Sequence, residues 1–289
     1  MSMTNSYTLG LYEKSMPDTL SLGDKLLKAQ GVGYDFLELS IDESVYRLSR
    51  LTYSAKKMSE MRKEVQDTLF PLGSICLSAH RKYPLGSLDA KTREMSLDIC
   101  KRAIDFAAYM GIPIIQLAGY DVYYETSTEK TKALFLENLH ICTQLAAEKG
   151  ILLGFETMET PFMNTVTKAL KYVALINSPY LQVYPDLGNI VNAVGGDNHK
   201  AREDLQSGEA HIIAAHIKET VPGKFREIPY GTGHVDFPLL LQTCWKLGVR
   251  RYVTEFWHTG SEDWEKQLTD SYTYVNQIFF NKKKKHYNW

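Results

Sequence analysis

Eight short apolar runs, at residues 7–12, 36–40, 74–78, 114–117, 152–156, 181–185, 212–216 and 252–255, recur at intervals of roughly 30 to 40 residues. Each interval is long enough for a strand, a loop, an amphipathic helix and a second loop. That alternation predicts a parallel sheet covered by helices. Eight such units close on themselves, so the expected fold is α/β, a single (β/α)8 TIM barrel spanning residues 1–289.

The segments between the runs agree. Residues 89–110 and 129–149 carry apolar side chains at three- and four-residue spacing, and Gly111 and Gly150 follow them as C-cap residues. The stretch 191–208 is polar and contains glycine, which interrupts its helical pattern, and 221–235 is a loop rich in proline, glycine and charge. Long loops on a barrel often carry function. No linker divides the chain. The one biased segment is the lysine run 282–285, read as a short, solvated basic C-terminal tail whose charge also suits a helix C-terminus.

With 44% apolar and 23% charged residues and a net charge of -1, the chain resembles a soluble globular protein with a large core. Such a balance offers no whole-molecule attraction to nucleic acid or to anionic lipid, so a small-molecule partner is expected. The four cysteines, Cys76, Cys100, Cys142 and Cys244, form no C-x-x-C pair and read as reduced, buried thiols. The N-terminus lacks a basic stretch followed by an apolar run, and no window approaches a membrane span; the cytoplasm is the expected location.

Four potential metal ligands stand at the ends of consecutive runs: Glu156, Asp186, His216 and Glu255. A parallel barrel gathers the C-terminal ends of its strands at one mouth, where residues far apart in sequence become neighbours. Alternation along a strand requires a ligand to share a face with the residues two and four positions earlier. Val253 precedes Glu255, Ala214 and Ile212 precede His216, and Gly154 and Leu152 precede Glu156 at those spacings, while Asp186 lies just beyond its run. Singly, each has an ordinary explanation, such as a satisfied core histidine or an acidic N-cap. Together they imply a shared cation, because burying several carboxylates side by side is costly without one. Three carboxylates and one imidazole without thiolates lean towards Mn2+ or Mg2+, with Zn2+ and Co2+ also compatible.

Other polar residues fall at the same mouth: Glu38 and Ser40 after the second run, Ser78 and His80 after the third, Gln116 in the fourth, Asn189 after the sixth and Lys218 after the seventh. A sugar would use such groups to fix its hydroxyls. Arg47, Arg81, Lys82, Lys224 and Arg226 are candidate phosphate partners, each also explicable as surface charge.

The segments Gly10-Leu-Tyr-Glu-Lys14, Leu48-Ser-Arg-Leu51, Cys76-Leu-Ser-Ala-His-Arg81, Tyr83-Pro-Leu-Gly-Ser87, Ile115-Gln-Leu-Ala-Gly-Tyr-Asp-Val-Tyr-Tyr124, Tyr184-Pro-Asp-Leu-Gly-Asn189 and Ala215-His-Ile-Lys218 resemble the bacterial L-ribulose-5-phosphate 3-epimerases, also called L-xylulose-5-phosphate 3-epimerases. The resemblance runs from about residue 8 to 260, within the wider group of xylose-isomerase-like barrels. It implies that Glu156, Asp186, His216 and Glu255 hold one divalent ion and that the two glutamates also exchange the proton. Free-ketose epimerases of the group carry histidine three residues after the aspartate; here that position is Asn189, which points to the phosphosugar branch.

The implied reaction is metal-dependent 3-epimerisation of a pentulose 5-phosphate, with Glu156 and Glu255 working on opposite faces of a metal-bound enediolate. An aldose–ketose isomerase is the alternative, and a nuclease of the same fold is disfavoured by the few histidines and the absence of net basic charge. Exposed barrel helices often pair, so a homodimer is compatible with the chain.

Overall fold

The computed structural model describes residues 7–285, with side chains through residue 279. Its strands are β1 (Thr8–Tyr12), β2 (Phe36–Ile41), β3 (Leu72–Leu77), β4 (Ile114–Ala118), β5 (Leu152–Glu156), β6 (Leu181–Val183), β7 (Ala215–Ile217) and β8 (Arg251–Thr254). The α-helices of the described residues are α1 (Leu22–Val32), α2 (Val45–Leu48), α3 (Ala55–Thr68), α4 (Ala90–Met110), α5 (Glu129–Lys149), α6 (Val166–Ile176), α7 (Leu187–Ala193), α8 (Asn198–Ser207), α9 (Phe237–Lys246) and α10 (Trp264–Lys285).

Every strand pairing is parallel, in the spatial order β6-β5-β4-β3-β2-β1-β8-β7. The remaining seam, between β6 and β7, is joined by parallel bridges from Val183 to Ile212 and from Asp186 to His216. In that seam the Ile213 N–H donates to the Val183 carbonyl at 3.0 Å and the His216 N–H to the Pro185 carbonyl at 2.9 Å. The sheet therefore closes into the expected (β/α)8 barrel.

Capping explains the helix limits. Asp89 accepts the Thr92 N–H at the start of α4, which ends at Gly111 with φ 75°. Thr128 and Thr131 cap the start of α5 reciprocally, and Gly150 ends it at φ 69°. The stretch 191–208 divides between α7 and α8, because Gly195 and Gly196 adopt left-handed φ values of 72° and 86° between them. The 221–235 loop is scaffolded from within: the buried Glu219 carboxylate accepts the N–H groups of Thr220, Gly231 and Val235 at 3.1, 3.0 and 3.2 Å.

Two strands are shorter than their apolar runs. β6 stops at Val183, just before Tyr184 and Pro185, and the proline has no N–H to give a ladder. Before β7 the pleat is irregular, with Ile213 and Ala214 both packing inside the barrel and Ile212 packing outside it. Ile212 thus does not share His216's face, whereas Val253, Ala214 and Leu152 line the interior with Tyr12, Phe36, Cys76, Ile114 and Tyr184. The larger core lies between strands and helices, where Leu39, Ile75, Ile115, Leu153 and Phe155 are fully buried.

The backbone of α10 continues to Lys285, so the basic run occupies its last turn rather than a tail beyond it. The lysine side chains and residues 286–289 lie outside the described residues. No described helix is long and apolar enough to cross a membrane.

Candidate metal centre

The closing seam of the barrel brings the four acidic and imidazole groups together. Glu156 is the last residue of β5 and His216 the centre of β7. Asp186 is the N-cap of α7, its Oδ1 accepting the Asn189 N–H at 2.7 Å, and its own N–H donates to Thr157 Oγ1 at 2.9 Å. Glu255 follows β8, tied by its N–H to the Ile217 carbonyl at 2.9 Å. One ligand atom from each lies within 4.8 Å of the others, and all four residues are at most 5% exposed.

Within the cluster, His216 Nδ1 lies 3.0 Å from Glu255 Oε2 and 3.6 Å from Glu156 Oε1. Lys218 Nζ lies 2.9 Å from Asp186 Oδ2 and 3.3 Å from Glu255 Oε2. Burial and the neighbouring Glu255 push the Glu156 carboxyl upward. Burial, with Glu255 and Glu156 adding to it, drives Asp186 well above the usual carboxylate range despite Lys218. Glu255 is held well below that range, since Lys218 and His216 together outweigh its burial. His216 is driven well above its ordinary value because Glu38 and Glu255 overcome the cost of burying an imidazolium. These opposed shifts are the signature of excess negative charge confined at low dielectric.

The donor set fits a divalent cation. Three carboxylates and an imidazole converge without a thiolate, the composition favoured by oxygen- and nitrogen-preferring ions. Asp186 Oδ2 is buried and, although ion-paired with Lys218, receives no well-aligned hydrogen bond. Gln116, beside His216, and Asn189, beside Asp186, also carry buried acceptors without donors, Oε1 and Oδ1.

The remaining expected site residues divide. Asn189 and Lys218 line the cleft above the cluster, as do Ser78, Arg81 and Arg226. Glu38 lies inside the barrel behind His216, with Oε1 2.6 Å from Nε2, so it faces the imidazole rather than the cleft. Gln116 also sits against His216, its Nε2 3.2 Å from both ring nitrogens. Ser40 belongs to the wall: its Oγ meets the Tyr12 hydroxyl at 3.4 Å, while its backbone pairs with Glu13 and Arg50. His80 turns towards α4, its Nε2 3.2 Å from the Ser96 carbonyl, and burial pushes its pKa down to about 4. Among the candidate phosphate partners, Arg47 is engaged by Asp18 and Asp42, and Lys82 and Lys224 do not line the cleft.

Several lining residues escaped sequence reasoning. Lys14, two places after the inward-facing Tyr12, and Trp257, two places after Glu255, both reach the cleft. Strand parity extended one step past each strand end would have found them. Tyr184 was legible by the same rule, two residues before Asp186. Glu159 carried no such signal: it accepts from the Tyr120 and Tyr123 hydroxyls at 2.6 and 3.2 Å and stands 3.5 Å from Arg226. A separate cavity of ≈ 490 Å³ between residues 227–230 and α10 shares Trp257 with the cleft but includes none of the four clustered groups.

Comparison with known proteins converges on this architecture. The family model for the xylose isomerase-like TIM barrel matches residues 26–276. L-ribulose-5-phosphate 3-epimerase UlaE of Escherichia coli strain SE11 is 38% identical over 262 residues, which cover 90% of this chain and 91% of the relative. The Shigella flexneri protein of the same name aligns with the same identity and coverage. Among solved structures, an L-ribulose 3-epimerase superposes with a TM-score of 0.77 at 13% identity, covering 96% of each chain. A D-allulose 3-epimerase from Methylomonas sp. in complex with D-allulose gives 0.76 at 17% identity, covering 94% of this chain and 97% of the other.

Proposed function

Because this chain belongs to the xylose isomerase-like TIM barrel family, we propose that it is a metal-dependent 3-epimerase of a pentulose 5-phosphate, interconverting L-ribulose 5-phosphate and L-xylulose 5-phosphate. The observation that carries this reading is the buried Glu156, Asp186, His216 and Glu255 cluster in a chain aligned with the UlaE epimerases over 90% of its length. Lys14, Arg81 and Arg226 line the cleft, Lys14 paired with Asp42 and both arginines beside Glu159, and a sugar phosphate would draw on them in competition with those carboxylates.

Inversion at C3 requires removing a carbon-bound proton alpha to the C2 carbonyl and returning one to the opposite face. A divalent ion held by the four residues would supply positive charge to the sugar oxygens as that proton leaves. Glu156 and Glu255 stand at the ends of β5 and β8, with the Asp186 and His216 strand ends between them. One glutamate takes the C3 proton into its carboxylate; the other, protonated, delivers its proton to the far face. The buried setting excludes water, which keeps the carboxylates basic and the planar intermediate from side reactions.

Proton NMR of L-ribulose 5-phosphate with metal-supplemented protein in deuterated water tests this. Deuterium at C3 accompanied by L-xylulose 5-phosphate is the expected result. Label at C1 or C2 with an aldose product would make the protein an aldose–ketose isomerase. A C4 epimer without carbon-bound deuterium would indicate carbon–carbon cleavage, and no turnover with any of Mn2+, Zn2+, Mg2+ or Co2+ would remove the proposed substrate.

A further inference from the structure

We propose that Glu38 is the positioning residue of the metal centre, holding His216 so that Nε2 carries the ring proton and Nδ1 is presented to the cation. This assignment presupposes the metal-centre reading above and concerns a residue outside the cluster of four.

Glu38 is completely buried inside the barrel, and its sole ion-pair partner among the described residues is His216. A buried carboxylate with no lysine or arginine beside it is costly unless its lone pairs are used. All of them point to one arrangement. Oε2 accepts from the Ser74 hydroxyl at 2.6 Å and the Tyr184 hydroxyl at 2.9 Å. Ser74 is its register partner on β3, and Tyr184 follows β6, so two other strands set the orientation of the carboxylate. Oε1 is thereby turned to His216 Nε2 at 2.6 Å. Two unprotonated acceptors at that distance would repel, so the proton lies between them and belongs to Nε2.

The other ring nitrogen has a different environment. Nδ1 faces two carboxylate oxygens of the cluster, Glu255 Oε2 at 3.0 Å and Glu156 Oε1 at 3.6 Å. Gln116 Nε2 is 3.2 Å from both nitrogens and so does not discriminate between them. A carboxylate on the far nitrogen orients a ligating imidazole and makes its free nitrogen a better donor; losing such a partner typically weakens metal binding about 10- to 100-fold. Ser74 and Tyr184 act one step further back, by holding Glu38.

Cadmium-loaded, 15N-histidine-labelled full-length protein provides the test, together with competition titrations of Zn2+ against a chromophoric chelator. In the unaltered protein, one imidazole should show 113Cd coupling at Nδ1 and a slowly exchanging proton at Nε2. Glu38→Gln places an amide N–H against Nε2, and Zn2+ affinity should fall about 10- to 100-fold with loss of that Nε2 proton signal. Glu38→Asp should recover part of the affinity, and a purely structural role would leave the identity of the bound nitrogen unchanged. Coupling at Nε2 in the unaltered protein would overturn the proposal even if no variant folded. So would Glu38→Gln binding Zn2+ within twofold of the unaltered protein through the same nitrogen. Failure of the unaltered protein to bind either metal would instead remove the metal-centre reading itself.

Discussion

Glu13, immediately before the cleft residue Lys14, is the group whose loss should cost the fold most for the smallest chemical change. Its buried carboxylate receives both Arg50 terminal nitrogens at 2.6 Å, the Ser40 N–H at 2.8 Å and Lys25 Nζ at 3.3 Å. Burial opposes ionisation, yet the hydrogen bonds and charge of Arg50, followed by Lys25 and Ser40, bring its pKa from 4.5 down to about 2. At about 1.4 kcal/mol for each tenfold change in proton affinity, that gap corresponds to about 3 kcal/mol at neutral pH. The figure agrees with the roughly 3–5 kcal/mol lost when one partner of a buried ion pair is removed. Glu13→Gln should therefore destabilise the protein by about 3 kcal/mol. With an unfolding entropy of about 2.1 cal/mol/K per residue over this chain, the melting midpoint should drop by about 5 °C. Because the folded pKa lies below the unfolded one, this stability is fully present above pH 4.5 and is lost as pH falls towards 2. The penalty should already shrink by about 0.8 kcal/mol between pH 7 and pH 4. Urea unfolding of both proteins, followed by tryptophan fluorescence across that range, measures it. A penalty below about 1 kcal/mol at pH 7, or one that grows on acidification, would refute the reasoning.

Three further outcomes can be checked. Glu156→Gln and Glu255→Gln should each reduce epimerisation by about two to four orders of magnitude, the usual worth of a proton-transfer group, with the circular dichroism spectrum unchanged; full turnover by either, assayed by NMR, would exclude the two-base scheme. Chelator treatment should lower the melting midpoint and abolish turnover, and adding back a divalent ion at about 100 times its Kd should restore about 2.7 kcal/mol, read by calorimetry. Gly154→Ala would place a Cβ 2.8 Å from Tyr184 Cβ and 3.1 Å from Ile213 Cδ1, so it should cost about 1–3 kcal/mol in urea unfolding. Through Tyr184 it should also loosen Glu38 and weaken metal affinity, measured by the same chelator competition.

What the sequence determined by itself is the part of this protein written in local, periodic patterns. Strand–helix alternation specifies the barrel, and glycine and capping residues place the ends of α4 and α5, because these depend on neighbours only a few positions away. Glu156, Asp186, His216 and Glu255 were legible because a parallel barrel sends every strand end to one rim, whatever the packing between. The tertiary structure decided which way the residues near those ends face. Glu38 and His80 both looked like rim residues, yet one turns into the barrel towards His216 and the other out towards α4. The direction depends on where each strand stops and on which neighbour offers a partner. The irregular pleat at Ile213 and Ala214, beside the seam between β6 and β7, likewise departs from the alternation that a regular strand would show. The meeting of Glu159 with Tyr120, Tyr123 and Arg226 was equally a matter of tertiary structure, since contacts between loops far apart in the chain leave no periodic trace for the sequence to display.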